Sequence, residues 1–257
     1  MVRILALLMA VWWPLRTAAA QRRGATFTID SALSLAWWQV NPHLLHLWAT
    51  TCPEDPAWLP GVARKVGSRW TFDGSNVKLP NQFTTDDTIH IPLFPRHEIW
   101  TACKPAVRGE LVAPDTVTWM GAHGKVTVDA AALYSGEQDR DAYARNVLLE
   151  VHRYPHIVMI IDSVVDVAHG GRDTVKAVAV GKLQLHGVET PLSVAVSAWP
   201  DTGGLRVRGR WHIPVTELWN TYGIGSKWAI GLIGLGRWKD LWLGSDLVMR
   251  PESAAAP

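Results

Sequence analysis

Residues Thr174 to Ala198, TVKAVAVGKLQLHGVETPLSVAVSA, decide the fold class of this chain. Apolar side chains alternate along both halves of the stretch, which is typical of two β-strands with one buried face. The segment between the halves, His186–Pro191, contains Gly and Pro, and its length predicts a connection longer than a two-residue turn. The stretch therefore predicts a β-hairpin.

The inward face of the first strand of this hairpin is built largely from small residues. Ala177, Ala179 and Gly181 occupy positions where a packed core normally has Leu, Ile or Val. Small inward residues leave room either for a bulky neighbouring side chain or for a bound guest molecule.

Alternation of the same kind recurs on both sides of the hairpin, and we expect a single barrel or sandwich. The predicted strand segments are 26–30, 33–40, 68–72, 88–93, 107–112, 116–120, 125–128, 157–163, 205–213 and 241–249. Residues 201–204 predict a turn. In the strand that follows, Arg206, Arg208, Arg210 and His212 share one side, which we expect to be exposed to solvent.

One helix is predicted over residues 136–154. Ala144, Val147, Leu148 and Val151 are spaced to form a single apolar stripe on its surface. The Tyr154-Pro155 step ends it, because the residue before proline disfavours helical geometry.

The N-terminal segment has the features of a secretory signal peptide. Arg3 precedes an apolar run of about ten residues, too short to span a bilayer, and Ala18–Ala20 form a small-residue cleavage site. Removal of residues 1–20 leaves 23 basic and 23 acidic residues. A neutral mature chain gives no electrostatic reason to bind nucleic acid, and no later apolar segment is long enough for stable membrane insertion. We expect a periplasmic or secreted protein.

Residues 21–250 are expected to form one domain, with a proline-rich insertion at 41–105 and a disordered tail at 251–257. The insertion contains Cys52 and Cys103, and an even pair of cysteines in an exported chain favours a disulfide over two free thiols. Such a bridge would staple the insertion over the barrel and stabilise the fold by about 4 kcal/mol in the chain-entropy model.

Enzyme signatures are absent, and the chain is expected not to be an enzyme. The sequence has no nucleophile elbow, zinc-protease motif, P-loop or dinucleotide-binding motif. His43 and His46, with His90 or His97, lack the carboxylate or Cys spacing of a metal site, so no metal is predicted. His186 is expected to hold its turn by hydrogen bonds.

Fifteen tryptophans are the strongest anomaly of composition. Trp12 and Trp13 lie in the predicted signal peptide, and the other thirteen are expected first of all to pack the core and the insertion. Two other roles remain open: lining an apolar cavity, or forming a surface patch for sugars or a protein partner, for which Trp58, Trp100 and Trp238 are candidates.

The segment Gly181–Leu192, GKLQLHGVETPL, resembles the signature hairpin of the YceI-like family. Further elements occur in the same order as in that family. They are Phe27-Thr28-Ile29-Asp30 followed by Ser34, Val126-Thr127-Val128, Leu133 with Ser135-Gly136, the segment 139–145, and Tyr154-Pro155-His156-Ile157. The resemblance covers residues 107–213 well and 26–40 in part, whereas 41–105 and the chain after Pro214 depart from it.

The resemblance implies a mostly β fold: a single antiparallel lipocalin-like barrel of about eight strands with one short helix. It implies an exported protein that holds a polyisoprenoid, quinone-type or similar long apolar lipid and needs no other cofactor. The inward residues expected to line the cavity are Phe27, Trp37, Val128, Ile157, Met159, Ile161, Ala177, Ala179, Gly181, Leu183, Val194, Val196, Val207 and Trp211. Two alternatives remain, a carbohydrate- or protein-binding module with surface tryptophans and a hydrolase.

Overall fold

A computed structural model describes residues 24–40, 47–51, 63–66, 69–72, 97–100, 106–134, 138–171, 173–225 and 240–252. The strands are β1 Ala25–Ile29, β2 Leu35–Val40, β3 Leu47–Thr51, β4 Ala63–Val66, β5 Arg69–Phe72, β6 His97–Trp100, β7 Val107–Ala113, β8 His123–Asp129, β9 Leu133–Tyr134, β10 His156–His169, β11 Val175–Leu185, β12 Val188–Asp201, β13 Gly204–Pro214 and β14 Asp240–Pro251. The helices are α1 Gln138–Tyr143 and α2 Val215–Asn220, with a 3-10 turn at Ala130–Ala132 and a π-helical segment at Ala144–Leu148.

Eight antiparallel strands close into a barrel in the order β1-β7-β8-β10-β11-β12-β13-β14, and β14 pairs back to β1. The prediction of a mostly β, eight-stranded antiparallel barrel is therefore confirmed. Strands β2, β3 and β9 extend the sheet beyond β14, and β4, β5 and β6 form a separate three-stranded sheet. The C-terminal strand closes the barrel, as the alternation of 241–249 predicted.

The barrel closes where β14 passes from one partner strand to another. Its C-terminal part pairs with β1 and its N-terminal part with β2, so the turn between β1 and β2 interrupts the ladder. The buried Ser34 hydroxyl accepts a hydrogen bond from Val248 N at 2.9 Å and donates to Val248 O at 3.3 Å. Asp30 N also donates to Val248 O, at 2.8 Å. Asp30 and Ser34 thus pair with main-chain groups of Val248, which the interrupted ladder leaves without a strand partner.

The central hairpin is formed by β11 and β12, and its faces are those predicted. Ala177, Ala179, Leu192 and Val194 are buried, whereas Lys176, Lys182 and Ser193 are exposed. The predicted long connection is wrong. Leu185 pairs with Val188, which leaves the two-residue turn His186-Gly187. Both residues have positive φ, 52° and 78°, as a type I′ turn requires, and Pro191 is accommodated within β12.

The predicted helix over 136–154 is only partly correct. Helical structure is described from Gln138 to Leu148, but its second half is π-helical. Leu149 N donates to Ala144 O at 2.8 Å, a five-residue spacing that widens the turn. The wider turn breaks the predicted apolar stripe, and Val147 is 55% exposed. A second helix, α2, lies in a region where the sequence predicted none.

The predicted solvent-exposed arginine face is wrong for two of its arginines. Arg206 Nε contacts Asp246 Oδ1 at 2.6 Å and Arg208 Nε contacts Asp246 Oδ2 at 2.7 Å. Their side chains retain only 22% and 27% exposure, whereas Arg210 and His212 are exposed. The hydrogen bond to Asp246 raises the pKa of Arg206, against the lowering effect of burial. Arg206 and Arg208 thus share one carboxylate on the outer surface of β13 and β14.

Several predictions concern residues outside the described ranges. These are the signal peptide, the Cys52–Cys103 disulfide, the strand at 88–93, the histidines 43, 46 and 90, and most of the 41–105 insertion. Within the described ranges, no helix has the length and apolar character needed to cross a bilayer.

Candidate functional site

An apolar cavity lies inside the barrel, at one end of it. Its wall includes Val175 at the start of β11, Ala198 near the end of β12 and Leu205 at the start of β13. Trp119 and Ala122, from the connection between β7 and β8, complete this end. The cavity therefore lies toward the end that carries the β7–β8, β10–β11 and β12–β13 connections.

The cavity has a volume of about 110 Å3. On the same scale a single water molecule needs only about 10–15 Å3. The space therefore exceeds one water molecule several-fold. The wall is almost entirely apolar, which favours an apolar occupant over ordered water.

Small residues on β11 and β13, the two strands that flank β12, border this space. Ala177 and Ala179 on β11 and Gly209 on β13 all belong to the wall. A Cβ added at Gly209 would lie 3.1 Å from Val194 Cγ1 and 3.4 Å from Val196 Cγ1, so the two valine side chains already fill the space beside this glycine. At Ala177 and Ala179 the structure instead leaves open space, the second of the two explanations for small inward residues.

Eight of the residues predicted to line a cavity lie on its wall. They are Met159, Ile161, Ala177, Ala179, Val194, Val196, Val207 and Trp211. The structure brings these residues, from four strands, around one space. Their part in binding a ligand remains a prediction.

Six of the predicted lining residues lie elsewhere. Val128, Ile157 and Leu183 belong to the closely packed core at the opposite end of the barrel. Gly181 faces the β10 main chain, where a Cβ would collide with the Ile160 carbonyl oxygen. Phe27 is buried beneath Trp119, with ring centroids 5.8 Å apart.

Trp37 was predicted to line the cavity but lies on the outer face of the sheet. It pairs in register with Gly244, whose neighbour Ser245 lines the cavity. Since successive residues of a strand face opposite sides, Gly244 and Trp37 face outward. The indole occupies the space that a Cβ of Gly244 would fill, and Trp37 is 4% exposed.

Other wall residues were missed by the sequence analysis. Val175, Ala198 and Leu205 lie on inward faces that had been correctly identified, so the alternation itself was the signal that could have found them. Trp119 gave no such signal, because residues 116–120 were predicted to be a strand. They form a turn instead.

Asp115 organises this turn, which borders the cavity. Its Oδ1 accepts a hydrogen bond from Val117 N at 2.8 Å, and its Oδ2 accepts one from the Thr118 hydroxyl at 3.0 Å. The resulting loop holds Trp119 at φ 58° with its side chain against the cavity. Val117 and Met120, on either side of Trp119, are 47% and 65% exposed. The hydrogen-bonded turn thus places Trp119 on the wall and leaves two apolar side chains exposed beside it.

A polar cluster ties together the opposite end of the barrel. His186 Nδ1 lies 2.7 Å from Tyr222 O, and the Thr190 and Tyr222 hydroxyls are 2.6 Å apart. The His186 ring packs on Tyr154 with centroids 4.3 Å apart. Burial raises the pKa of Tyr222, the hydrogen bond with Thr190 opposes that rise, and the charge of Glu217 adds to it. His186 thus anchors the hairpin turn by a hydrogen bond, in the role predicted for it.

In the part of the chain that the structure describes, no group of three His, Cys, Asp or Glu side chains is placed to hold a metal ion. The described wall of the cavity also contains no histidine or cysteine.

Two tryptophans on the outside of the barrel bear on the alternative of a surface aromatic patch. Arg208 lies over the Trp199 ring at 5.0 Å, and Arg210 lies over the Trp242 ring at 4.4 Å. A guanidinium therefore covers one face of each indole, which reduces the flat aromatic surface available to a sugar. The candidates Trp58 and Trp238 lie outside the described ranges, and the side chain of Trp100 is not described.

Comparison with solved structures supports the fold. A polyisoprenoid binding domain from Saccharophagus degradans, implicated in plant cell wall breakdown, matches with a TM-score of 0.51 and 11% identity over 89% of this chain and 99% of its own. BcnA from Burkholderia cenocepacia matches with a TM-score of 0.40 and 14% identity, over 56% of this chain and 88% of its own. A mutant of the Campylobacter jejuni YceI protein matches with a TM-score of 0.45 and 15% identity, over 67% and 98%.

No curated protein matches the sequence. The family model of the YceI-like domain does match, over residues 99–231. This match covers more than half of the chain and contains the signature hairpin, the π-helical segment and most of the strands around the cavity. Motif order, closed barrel and family model agree, and the chain belongs to the YceI-like family.

Proposed function

We propose that this chain is an exported carrier or sequestering protein that holds a polyisoprenoid or similar lipid inside its barrel. The observation that carries the proposal is the apolar cavity between Ala177, Ala179 and Gly209. An apolar cavity of this kind gains affinity from burial of hydrocarbon, about 2.5 kcal/mol for each 100 Å2 removed from water, and needs no ionic anchor. The polyisoprenoid-binding function of the Saccharophagus degradans domain supports the same class of ligand.

A binding role fits the chemistry of the wall better than catalysis does. The described wall residues with polar side chains, apart from the indoles, are Glu110, Lys125 and Ser245. Glu110 and Lys125 are exposed and pair with each other on β7 and β8. Their neighbours Leu111 and Val126 also belong to the wall, so the side chains of Glu110 and Lys125 face outward. Ser245 has no histidine neighbour on the wall to activate it as a nucleophile.

Filling the cavity tests the carrier function directly. Ala179→Leu places a larger side chain in the wall, and we expect the affinity for a prenol such as farnesol to fall at least tenfold. Ala195→Leu is the matched control, because Ala195 is exposed on the outside of the neighbouring strand. Native mass spectrometry of the purified protein should show a bound lipid in the control and little or none in Ala179→Leu.

The proposal fails if neither the natural chain nor the control binds any prenol or quinone, or if Ala179→Leu binds as well as the control. Thermal unfolding should show that both variants are folded, since Ala179→Leu adds volume where the cavity leaves open space and Ala195→Leu adds it on an exposed face. Export is tested separately by the mass of the chain recovered from its source, which should begin at Gln21.

A further inference from the structure

We infer that the cavity is a blind pocket that admits only the end of an apolar tail, and that Leu183, Leu192, Ile213 and Leu243 form its floor. This inference rests on the proposed function, since it states how much of a lipid the barrel encloses. It specifies how much of the lipid tail enters the barrel and which end of the lipid enters first.

The depth of the cavity follows from the positions of its wall residues along the strands. The wall runs from Val175 to Ala179 on β11, from Ala198 to Val194 on β12 and from Leu205 to Trp211 on β13. These four to six residue steps correspond to about 13–20 Å along a strand. Because barrel strands tilt by about 35–45°, the depth along the axis is about 10–15 Å.

The next inward side chain below the wall is large on each of four strands. On β11 it is Leu183, since Gly181 has no side chain, and Leu183 is 2% exposed. The corresponding residues are Leu192 on β12, Ile213 on β13 and Leu243 on β14. All four are buried in the core cluster, and none of them lines the cavity. On β11 and β12 the inward residues therefore change from small to large where the wall ends. On β13 and β14 the wall already contains the large residues Trp211 and Leu247, and it ends at the buried Ile213 and Leu243.

The mouth lies at the other end of the cavity. Trp119 contributes to the wall there, and its neighbours Val117 and Met120 are exposed. The floor is closed by buried side chains and the mouth bears exposed apolar ones, so a lipid would enter tail first and leave its polar end outside.

The depth sets the length of tail that the pocket can enclose. An extended chain of three bonds spans at most about 3.6 Å, so 10–15 Å holds roughly 8–12 carbon–carbon bonds. With four main-chain bonds in each isoprene unit, this corresponds to about two to three units. The remainder of a longer polyisoprenoid would lie outside, along the loop of Val117, Trp119 and Met120.

The inference is tested by measuring the affinity of the full chain for a series of prenols. We expect the affinity to rise from geraniol to farnesol, then to change less than threefold through geranylgeraniol and decaprenol. Affinity that continues to rise tenfold or more with each longer prenol would overturn the inference but leave the carrier function intact. Absence of binding by every prenol would refute both.

Two floor variants make the test specific. Leu183→Val lowers the floor, and we expect the affinity to level off at a longer prenol than in the natural chain. Leu185→Val is the matched control, because Leu185 is also buried on β11 but lies farther from the cavity, beyond Leu183. An identical dependence on chain length in the two variants would exclude Leu183 as the floor.

Discussion

Among the residues that the structure describes, Tyr222 has a pKa that is raised chiefly by burial. It is 3% exposed, and its hydroxyl is hydrogen-bonded to Thr190. Burial raises its pKa because the charged phenolate is poorly solvated there. A raised pKa in the folded state means that the folded state holds the phenolic proton more tightly than the unfolded chain does. The corresponding stabilisation is complete below the unfolded pKa, near 10, and is lost as the pH rises toward the folded pKa.

Replacing Tyr222 with Phe should therefore have a pH-dependent effect on stability. At neutral pH we expect Tyr222→Phe to lower the free energy of unfolding by about 0.5–1.5 kcal/mol, through loss of the hydrogen bond with Thr190. Above pH about 10 this difference from the natural chain should shrink, because the natural chain loses stability when Tyr222 ionises. Urea unfolding between pH 7 and 11 measures both values.

The control for this measurement is Tyr143→Phe at an exposed tyrosine. Its difference from the natural chain should stay small and constant with pH. A stability difference for Tyr222→Phe that is unchanged through the alkaline range would contradict the role of Tyr222.

At the scale of single elements, the turn of the β11–β12 hairpin combines backbone strain with close packing. Gly187 has φ 78°, a conformation that side chains other than glycine rarely adopt. A Cβ at this position would also lie 2.6 Å from the Tyr154 ring. Gly121 has a similar φ of 73°, but a Cβ there would meet nothing within 4 Å. Substituting each of the two glycines therefore distinguishes the effect of backbone conformation from the effect of steric overlap.

We expect Gly121→Ala to cost about 1–2 kcal/mol through backbone strain alone. Gly187→Ala should cost about 1–3 kcal/mol more, since the Tyr154 ring must also move away from His186. Chemical denaturation of the two variants measures this difference. Equal losses of stability in the two variants would contradict this prediction, because they would mean that displacing the Tyr154 ring costs no free energy.

Local pattern explains which elements the sequence could predict. Strands such as β11 and β12 have one dry face, and their period of two is visible in the residues themselves. The turn at 116–120 also contains alternating residues, so its conformation depends on hydrogen bonds to Asp115 that the period does not reveal. The π-helical segment likewise changes the helical period, and Val147 consequently leaves the predicted stripe.

At the scale of the whole molecule, the sequence identified the inward face but not the depth of each residue. Val128 and Leu183 face inward as predicted, yet they belong to the packed end and not to the cavity. The depth of a residue inside the barrel depends on the register of four strands and on where their large side chains meet. Neither can be deduced from a short stretch of sequence. Trp37 was misplaced because its side of the sheet is fixed only by its pairing with Gly244.

The two ends of the barrel should differ in local stability. Strand amides near Leu183, Leu192 and Ile213 lie in the packed end, whereas those near Val175 and Ala198 surround the cavity. Because opening is easier where fewer apolar contacts are lost, we expect hydrogen exchange to be faster around the cavity by tenfold or more. The contrast should narrow in Ala179→Leu, which fills the space. Uniform protection along β11 and β12 would contradict this prediction.

The change along β11 and β12 from alanine and valine on the cavity wall to leucine at the packed end has a consequence for how such a protein can evolve. Substitutions that reshape the cavity wall need not change the packed residues that stabilise the fold. The shape of the cavity can therefore change among descendants while the barrel persists, because the wall and the packed end use largely separate sets of positions.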